Sequence, residues 1–247
     1  MKSARQRGFN LLELTLVLIV IGVLGLFAKF AFSGADDVSQ EQQAKAEAEV
    51  VREALRYYVL ANKRLPCPDY NADGYEDRDA TSGLCVQSGE TGYVPYASIG
   101  LTPSANNPMT YGVYRDAAPN DVTALEERTG DVEGSPGYMN AGDAIVALMA
   151  IPATVSGTAH VFVAGLNADG TSNCNAAVST YPAFVLAVPN TDRDSPPDGK
   201  LLDGVNAAIP SPPCFASPQQ AMAWNYDDVV AVESPDALIG WLKQHSN

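Results

Sequence analysis

A 24-residue apolar run over residues 9–32 constrains this chain more than any other feature. As a helix rising about 1.5 Å per residue, such a run spans the roughly 30 Å of bilayer hydrocarbon, so it is expected to be a membrane anchor. The leader before it, residues 1–8, carries Lys2, Arg5 and Arg7. The positive-inside bias therefore places the N-terminus in the cytoplasm and everything after Phe32 on the far side of the membrane. A conventional secretory signal has an apolar region of about 7 to 15 residues with its cleavage site beyond it. Ala31-Phe32-Ser33 imitates such a site weakly, but Glu13 has no use in a segment that is discarded. An acid within a membrane helix costs about 2.5 to 3.5 kcal/mol at the bilayer centre and less near the interface, where Glu13 would sit. Glu13 therefore asks for a partner; the plain alternative is a signal anchor that tolerates an interfacial glutamate.

The remainder of the chain reads as exported. Its four cysteines, Cys67, Cys85, Cys174 and Cys214, all lie beyond the anchor and fit an oxidising compartment. Four cysteines allow three pairings, and Cys67 with Cys85 and Cys174 with Cys214 are favoured, since each closes a local loop rich in turn residues. With no Cys-x-x-Cys and only two histidines, a zinc site is not expected. Removing the three basic residues of the leader moves the formal charge from −14 to −17, and from Leu65 onward six Lys or Arg face 22 Asp or Glu. An acidic head argues against binding nucleic acid through its phosphates, which relies on Lys and Arg. Most of these charges are expected to be a solvated surface.

Residues 33–64 begin with the polar Ser33-Gly34-Ala35-Asp36-Asp37 and continue as a strongly helical stretch from about Ser39 to Asn62. Ala44, Ala48, Val51, Leu55 and Tyr58 recur at spacings of four and three, which makes one apolar face. Glu41 precedes Lys45 by four residues, and Arg52 and Arg56 follow Glu49 and Glu53 on what is read as the exposed side. This is the outer, amphipathic half of a long helix whose stripe seats a globular head. Gly22, Gly25 and Gly34 are points where the helix could bend, close helix packing being the other use of the two membrane glycines.

From residue 65 to 247 the pattern changes to short apolar runs divided by Pro, Gly, Asn and Asp. Strands are expected over Thr110 to Tyr114, Ala144 to Ala150, His160 to Ala164, Ala183 to Val188 and Val229 to Val232, the second of them equally readable as a buried helical turn. A terminal helix is expected from Ser234, with Pro235 in its first turn and Leu238, Trp241 and Leu242 inward. The fold class is α+β: a long N-terminal helix packed on an antiparallel-sheet head, large enough to hold its own core.

A glycine ending a charged leader, then Phe9-Asn10-Leu11-Leu12-Glu13-Leu14-Thr15, resembles the prepilin signal of type IV pilins and the pseudopilins of type II secretion. The resemblance implies a peptidase that cuts between Gly8 and Phe9 at the cytoplasmic face and methylates the new amine of Phe9. It implies that Glu13 engages the N-terminal amine of a neighbouring subunit in a filament. The partners are then the prepilin peptidase, other pilin or pseudopilin subunits and the inner membrane, with the head in the periplasm, or outside the cell in a pilus. The length left after the leader is large for a major pilin, which points to a minor or tip subunit. Arg64-Leu65-Pro66-Cys67-Pro68-Asp69, Gly92-Tyr93-Val94-Pro95, Ile99-Gly100-Leu101 and Tyr226-Asp227-Asp228-Val229-Val230 resemble, more loosely, a subgroup of bacterial prepilin-like proteins.

The segment Asp69-Tyr70-Asn71-Ala72-Asp73-Gly74-Tyr75-Glu76-Asp77 matches the start of an EF-hand-type calcium loop. Asp69, Asn71 and Asp73 are the first ligands, Gly74 permits the sharp turn, Tyr75 offers its carbonyl and Asp77 stands at the ninth position. The twelfth position is Ala80, so Glu76 or Asp79 would have to supply the missing carboxylate. Calcium sites in pilin and pseudopilin heads are a feature of the resembled family; the alternative is an acidic turn held between Cys67 and Cys85. Asn190, Asp192 and Asp194 form a weaker echo.

Catalytic patterns are sparse. His160 leads an apolar run, His245 lies in the tail, and neither Gly-x-Ser-x-Gly nor a phosphate-binding glycine loop occurs. The chain is expected to be the substrate of an enzyme and not one itself. A membrane-tethered adhesin or calcium-dependent binding module, and an anchored enzyme using paired carboxylates, are the competing readings.

Overall fold

The computed structural model describes residues 11–87, 89–102, 108–117, 120–130, 139–152, 159–175, 179–190, 201–210, 213–223 and 225–246, with the side chains at 11–13 and 25–37 outside that description. The chain divides into two compact units, one ending at Gln42 and one running Gln43–Asn247. Helix α1 is Leu11–Asn62, helical through the polar Ser33–Asp37 stretch where the sequence suggests a break. In the first unit, the apolar side chains from Leu14 to Leu24 are exposed. Among the described residues no helix is long and apolar enough to cross a membrane. Part of the expected span, at residues 9–13 and 25–32, falls outside the described side chains.

In the second unit the expected stripe is the one that is buried. Ala44, Ala48, Val51, Leu55, Tyr58 and Val59 all face the core, and Leu55 is fully enclosed. The helix stops where Lys63 turns left-handed (φ 61°) and its N–H reaches the Val59 carbonyl at 2.7 Å. This is the single-residue C-terminal cap that usually falls to glycine, and Pro66 follows it.

The head is built on a four-stranded antiparallel sheet. Its strands follow β1 (Thr91–Tyr93), β2 (Thr110–Val113) and, after helix α2 (Ala141–Met149), the short β3 (Phe162–Val163), β4 (Gly165–Leu166) and β5 (Ser172–Asn173). They continue with β6 (Phe184–Val188), β7 (Cys214–Phe215), β8 (Val229–Glu233) and the closing helix α3 (Pro235–His245). The main sheet has the order β1-β2-β6-β8, while β3 pairs parallel to β7 and β4 pairs antiparallel to β5. Register places Tyr111 opposite Leu186 and Leu186 opposite Ala231.

All five residues of the central strand β6 are buried because both of its faces are covered. Phe184, Leu186 and Val188 join α1, α2 and α3 in the larger core, and Val185 and Ala187 pack with Val161, Val163, Phe215 and Val230 on the other side. A strand covered on both faces loses polar alternation, which is why this segment reads as a continuous apolar run. The second face also fixes Gly112: a Cβ there would stand 2.7 Å from the Phe215 ring and 3.0 Å from Val185.

Several expected elements keep their place with shifted ends: Thr110 to Tyr114 ends one residue earlier, His160 to Ala164 narrows to two residues, and Val229 to Val232 extends to Glu233. The α3 expectation holds in detail, with Ser234 Oγ capping the Ala237 N–H at 3.2 Å and Leu238 and Leu242 fully buried. The strand expected over Ala144 to Ala150 is instead helix α2. Its cause is local: Asn140 Oδ1 accepts the Gly142 N–H and Asp143 Oδ2 accepts the Asn140 N–H, which starts a helix at the polar turn before the apolar run.

Candidate functional site

The residues expected to direct processing and assembly fall at the start of the chain. Gly8 and Phe9 lie outside the described residues, and Glu13 is in the first turn of α1 with its side chain outside them. The structure does describe how the outer part of α1 is fixed to the head. Arg56 forms a bidentate ion pair with Glu233 at the end of β8, with Nε–Oε1 at 3.1 Å and Nη2 at 2.9 Å from both carboxylate oxygens. Arg52 Nε approaches the same carboxylate at 3.9 Å and pairs with Glu49 at 2.5 Å. Arg56 is thus no solvated surface charge, contrary to the helical-face reading. Burial raises the Glu233 pKa and Arg56 opposes that rise. Beside this clamp, Tyr57 meets Trp241 of α3 edge-on at 5.2 Å.

The Asp69 loop folds as a set of nested turns. Asp69 is buried, and its Oδ1 accepts the N–H groups of Asn71 (3.1 Å) and Ala72 (2.7 Å) while its Oδ2 accepts that of Gly74 (2.7 Å). Gly74 has φ +87°, the left-handed turn the sequence asks of it. Asp73 Oδ1 accepts from Tyr75 N–H (2.8 Å), Asp77 Oδ2 from Tyr70 N–H (2.6 Å), and the Asn71 amide lies 3.1 Å from Asp73 Oδ2 and 3.4 Å from Asp77 Oδ1. Asn71 thus sets its amide N–H2 between the Asp73 and Asp77 carboxylates while its Oδ1 accepts the Asp73 N–H at 2.9 Å, an arrangement that a hard cation would have to reorient.

Neither suggested substitute for the twelfth ligand is free to serve. Glu76 turns away to Arg64 (2.6 and 2.7 Å), to the Tyr58 hydroxyl (2.8 Å) and to the Cys67 N–H (3.0 Å). Burial alone would raise its pKa, but the Arg64 hydrogen bonds and charge, with the Cys67 N–H, outweigh burial and hold it at about 2. Asp79 Oδ1 accepts the N–H groups of Thr81 (3.0 Å) and Ser82 (2.6 Å) in its own turn. The loop is closed by the Cys67–Cys85 disulfide, and Cys174 is bonded to Cys214, so both favoured pairings are present. Of the weaker echo, Asp192 and Asp194 lie outside the described residues.

Folding assembles one acidic cluster that sequence spacing does not reveal. Asp203, Asp227 and Asp228 are buried, and one oxygen from each lies within 4.8 Å of the others. Asp203 Oδ2 accepts the Asp227 N–H at 3.1 Å. Asp228 Oδ2 accepts the Asp203 N–H at 2.8 Å and the Asn206 amide at 2.9 Å. Its Oδ1 is buried with no hydrogen-bond partner among the described residues. Burial lifts the Asp228 pKa to about 7; the Asn206 and Asp203 donors oppose this, and the charges of Asp203 and Asp227 add to it. The sequence signal was only the Asp227-Asp228 pair, since Asp203 arrives from a loop 24 residues earlier in the chain.

Both histidines are held by packing. His160 Nδ1 is 2.8 Å from Glu90 Oε1 and its ring stacks on Tyr114 at 4.8 Å. His245 stacks on Trp241 at 4.1 Å.

No protein-family model matches the chain, and no solved structure matches it. The chain is similar to type II secretion system core protein G of Escherichia coli (strain K12), with 26% identity over 113 residues that cover 44% of this chain and 78% of that protein. The core protein G of Aeromonas hydrophila is 26% identical over 94 residues, covering 38% of this chain and 66% of the relative. That of Pectobacterium carotovorum subsp. carotovorum is 28% identical over 119 residues, covering 39% and 76%. This similarity, with an α+β head and a long N-terminal helix, supports the pilin and pseudopilin resemblance at the level of the family.

Proposed function

We propose that this chain is a pilin-like subunit, a minor pilin or pseudopilin, that assembles through its N-terminal helix with other subunits of its kind. The similarity to type II secretion core proteins G carries this reading and favours a pseudopilus over a pilus. In this reading the precursor sits in the inner membrane with its head in the periplasm. Prepilin peptidase cuts between Gly8 and Phe9 and methylates Phe9, and Glu13 pairs with the amine of a neighbour in a setting where an unpaired acid is costly. The Arg56–Glu233 clamp supports a helix that must carry the head into an assembly, because it joins α1 to the last strand of the sheet. Replacing Glu13 by Ala should abolish incorporation into cross-linkable filaments while leaving the chain folded and cleaved. Normal incorporation of the variant would contradict the assembly role.

The Asp69 loop would hold calcium through Asn71, Asp73 and Asp77, with Asp69 ordering the turn and Tyr75 offering its carbonyl; bound there, the ion would tie the loop's carboxylates together. Asp73→Ala should lower the number of calcium ions bound by the full chain by one. Unchanged calcium binding would leave the loop an acidic turn braced by its disulfide.

A further inference from the structure

We propose that the cleft between the β4–β5 turn and the chain around Gln219–Tyr226 is a binding site for a neutral, N-acetylated sugar. The cleft has a volume of about 410 Å³, within the range of about 300 to 1,000 Å³ in which small-ligand sites fall. Its walls come from separate stretches of chain that are fastened to each other. The Ser172 N–H donates to Gln220 Oε1 at 2.8 Å, the Ser217 N–H donates to Ser172 Oγ at 2.8 Å, and the Cys174–Cys214 disulfide joins the ends of the same two stretches. Tyr226 also lines the cleft, buried and with its hydroxyl held by Asn206. A ligand would therefore meet walls that are already formed, which spares the cost of ordering them on binding.

The chemistry of the lining selects the ligand. Gln219, Gln220 and Asn225 supply side-chain amides, each both donor and acceptor, and Asp169 supplies a carboxylate. The fold itself uses Gln220 Oε1 and Asp169 Oδ1, which accept the Ser172 and Thr171 N–H groups. The other polar atoms of these four side chains have no partner among the described residues and are left for a ligand. No Lys or Arg lines the cleft among the described residues, so a phosphate or carboxylate ligand would have no counter-charge, and one carboxylate is too few for a metal cage. Tyr226, 3% exposed, offers no ring face on which a flat aromatic ligand could stack. Hydroxyl groups, in contrast, donate to the carboxylate and both donate to and accept from the amides. An acetamido group pairs with a glutamine or asparagine amide in both directions, and Met222 with Ala221 and Ala223 provides apolar surface for its methyl. The site lies in the head and does not depend on the reading of α1 as the assembly element.

The test titrates the full chain, in a detergent that carries no sugar, with N-acetylglucosamine, di-N-acetylchitobiose and glucose, and reads saturation transfer by NMR and heat by calorimetry. The acetyl methyl groups of the first two should receive saturation, and both should bind about tenfold more tightly than glucose. Gln219→Ala and Asn225→Ala should each weaken binding about fivefold, the loss expected for one hydrogen bond, and the two together should abolish it. Both side chains are exposed, so neither change should lower Tm. Asp73→Ala, in a different loop, should bind the sugars as the wild type does. No binding of either N-acetylated sugar would overturn the proposal. So would equal affinity for glucose, or wild-type affinity in the double variant.

Discussion

Glu76 is the residue on which the first turn of the head depends. With Arg64, Tyr58 and the Cys67 N–H on its two oxygens, and Arg78 Nε at 3.6 Å, it links the end of α1 to the Asp69 loop. Its folded pKa of about 2 lies below the usual 4.5, so its contribution is present above the unfolded value and is lost as pH falls from about 5 toward 2. Glu76→Gln leaves the Arg64 guanidinium, 9% exposed, without its counter-charge. It should cost about 3 kcal/mol in urea unfolding at pH 7 and flatten the acid limb of the stability profile. An unchanged midpoint would contradict the network. The sequence offered Glu76 as a metal ligand because spacing shows which acids are near one another and not which cation faces each of them. The Arg64 guanidinium twelve residues away decides the matter, and the same blindness hid Glu233 as the partner of Arg56.

At the scale of elements, spacing was sufficient for the long amphipathic helices, and a continuous apolar run was sufficient for β6, which is buried on both faces; the short run of α2 was not enough to choose between strand and helix. The α1 stripe and α3 were legible because each helix presents one apolar face and a clear end signal. The α2 segment was ambiguous between strand and buried helical turn because its run is short and apolar throughout, although the Asn140 and Asp143 pair that caps it was visible as Asn-x-x-Asp. The strands β4, β5 and β7 have two residues each, too few to show any period. The seat of α1 gives the direct test of this level: Leu55 is 0% exposed and touches the sheet core, so Leu55→Ala should destabilise the head by about 2 to 5 kcal/mol. Val50, on the same helix and 57% exposed, should tolerate alanine with a change within about 0.5 kcal/mol. Equal costs at the two positions would mean that the stripe is not what seats the helix.

In the whole molecule, an apolar N-terminal segment precedes a disulfide-bonded acidic head. Both disulfides were legible because each closes a local loop, and an oxidising compartment on the far side of a membrane suits them. The buried cluster at Asp203, Asp227 and Asp228 was not legible, since only the path of the chain between β6 and β8 brings these positions together. The similarity to type II secretion core proteins G bears on the level of the family, and cleavage at Gly8 is the event that would make this chain a subunit of that kind.

The most direct measurement is therefore the intact mass of the chain after expression with and without a prepilin peptidase. The account predicts a chain that begins at Phe9 and carries one added methyl group, found only when the peptidase is present. A chain that remains uncut, or one that begins after Ser33, would contradict it.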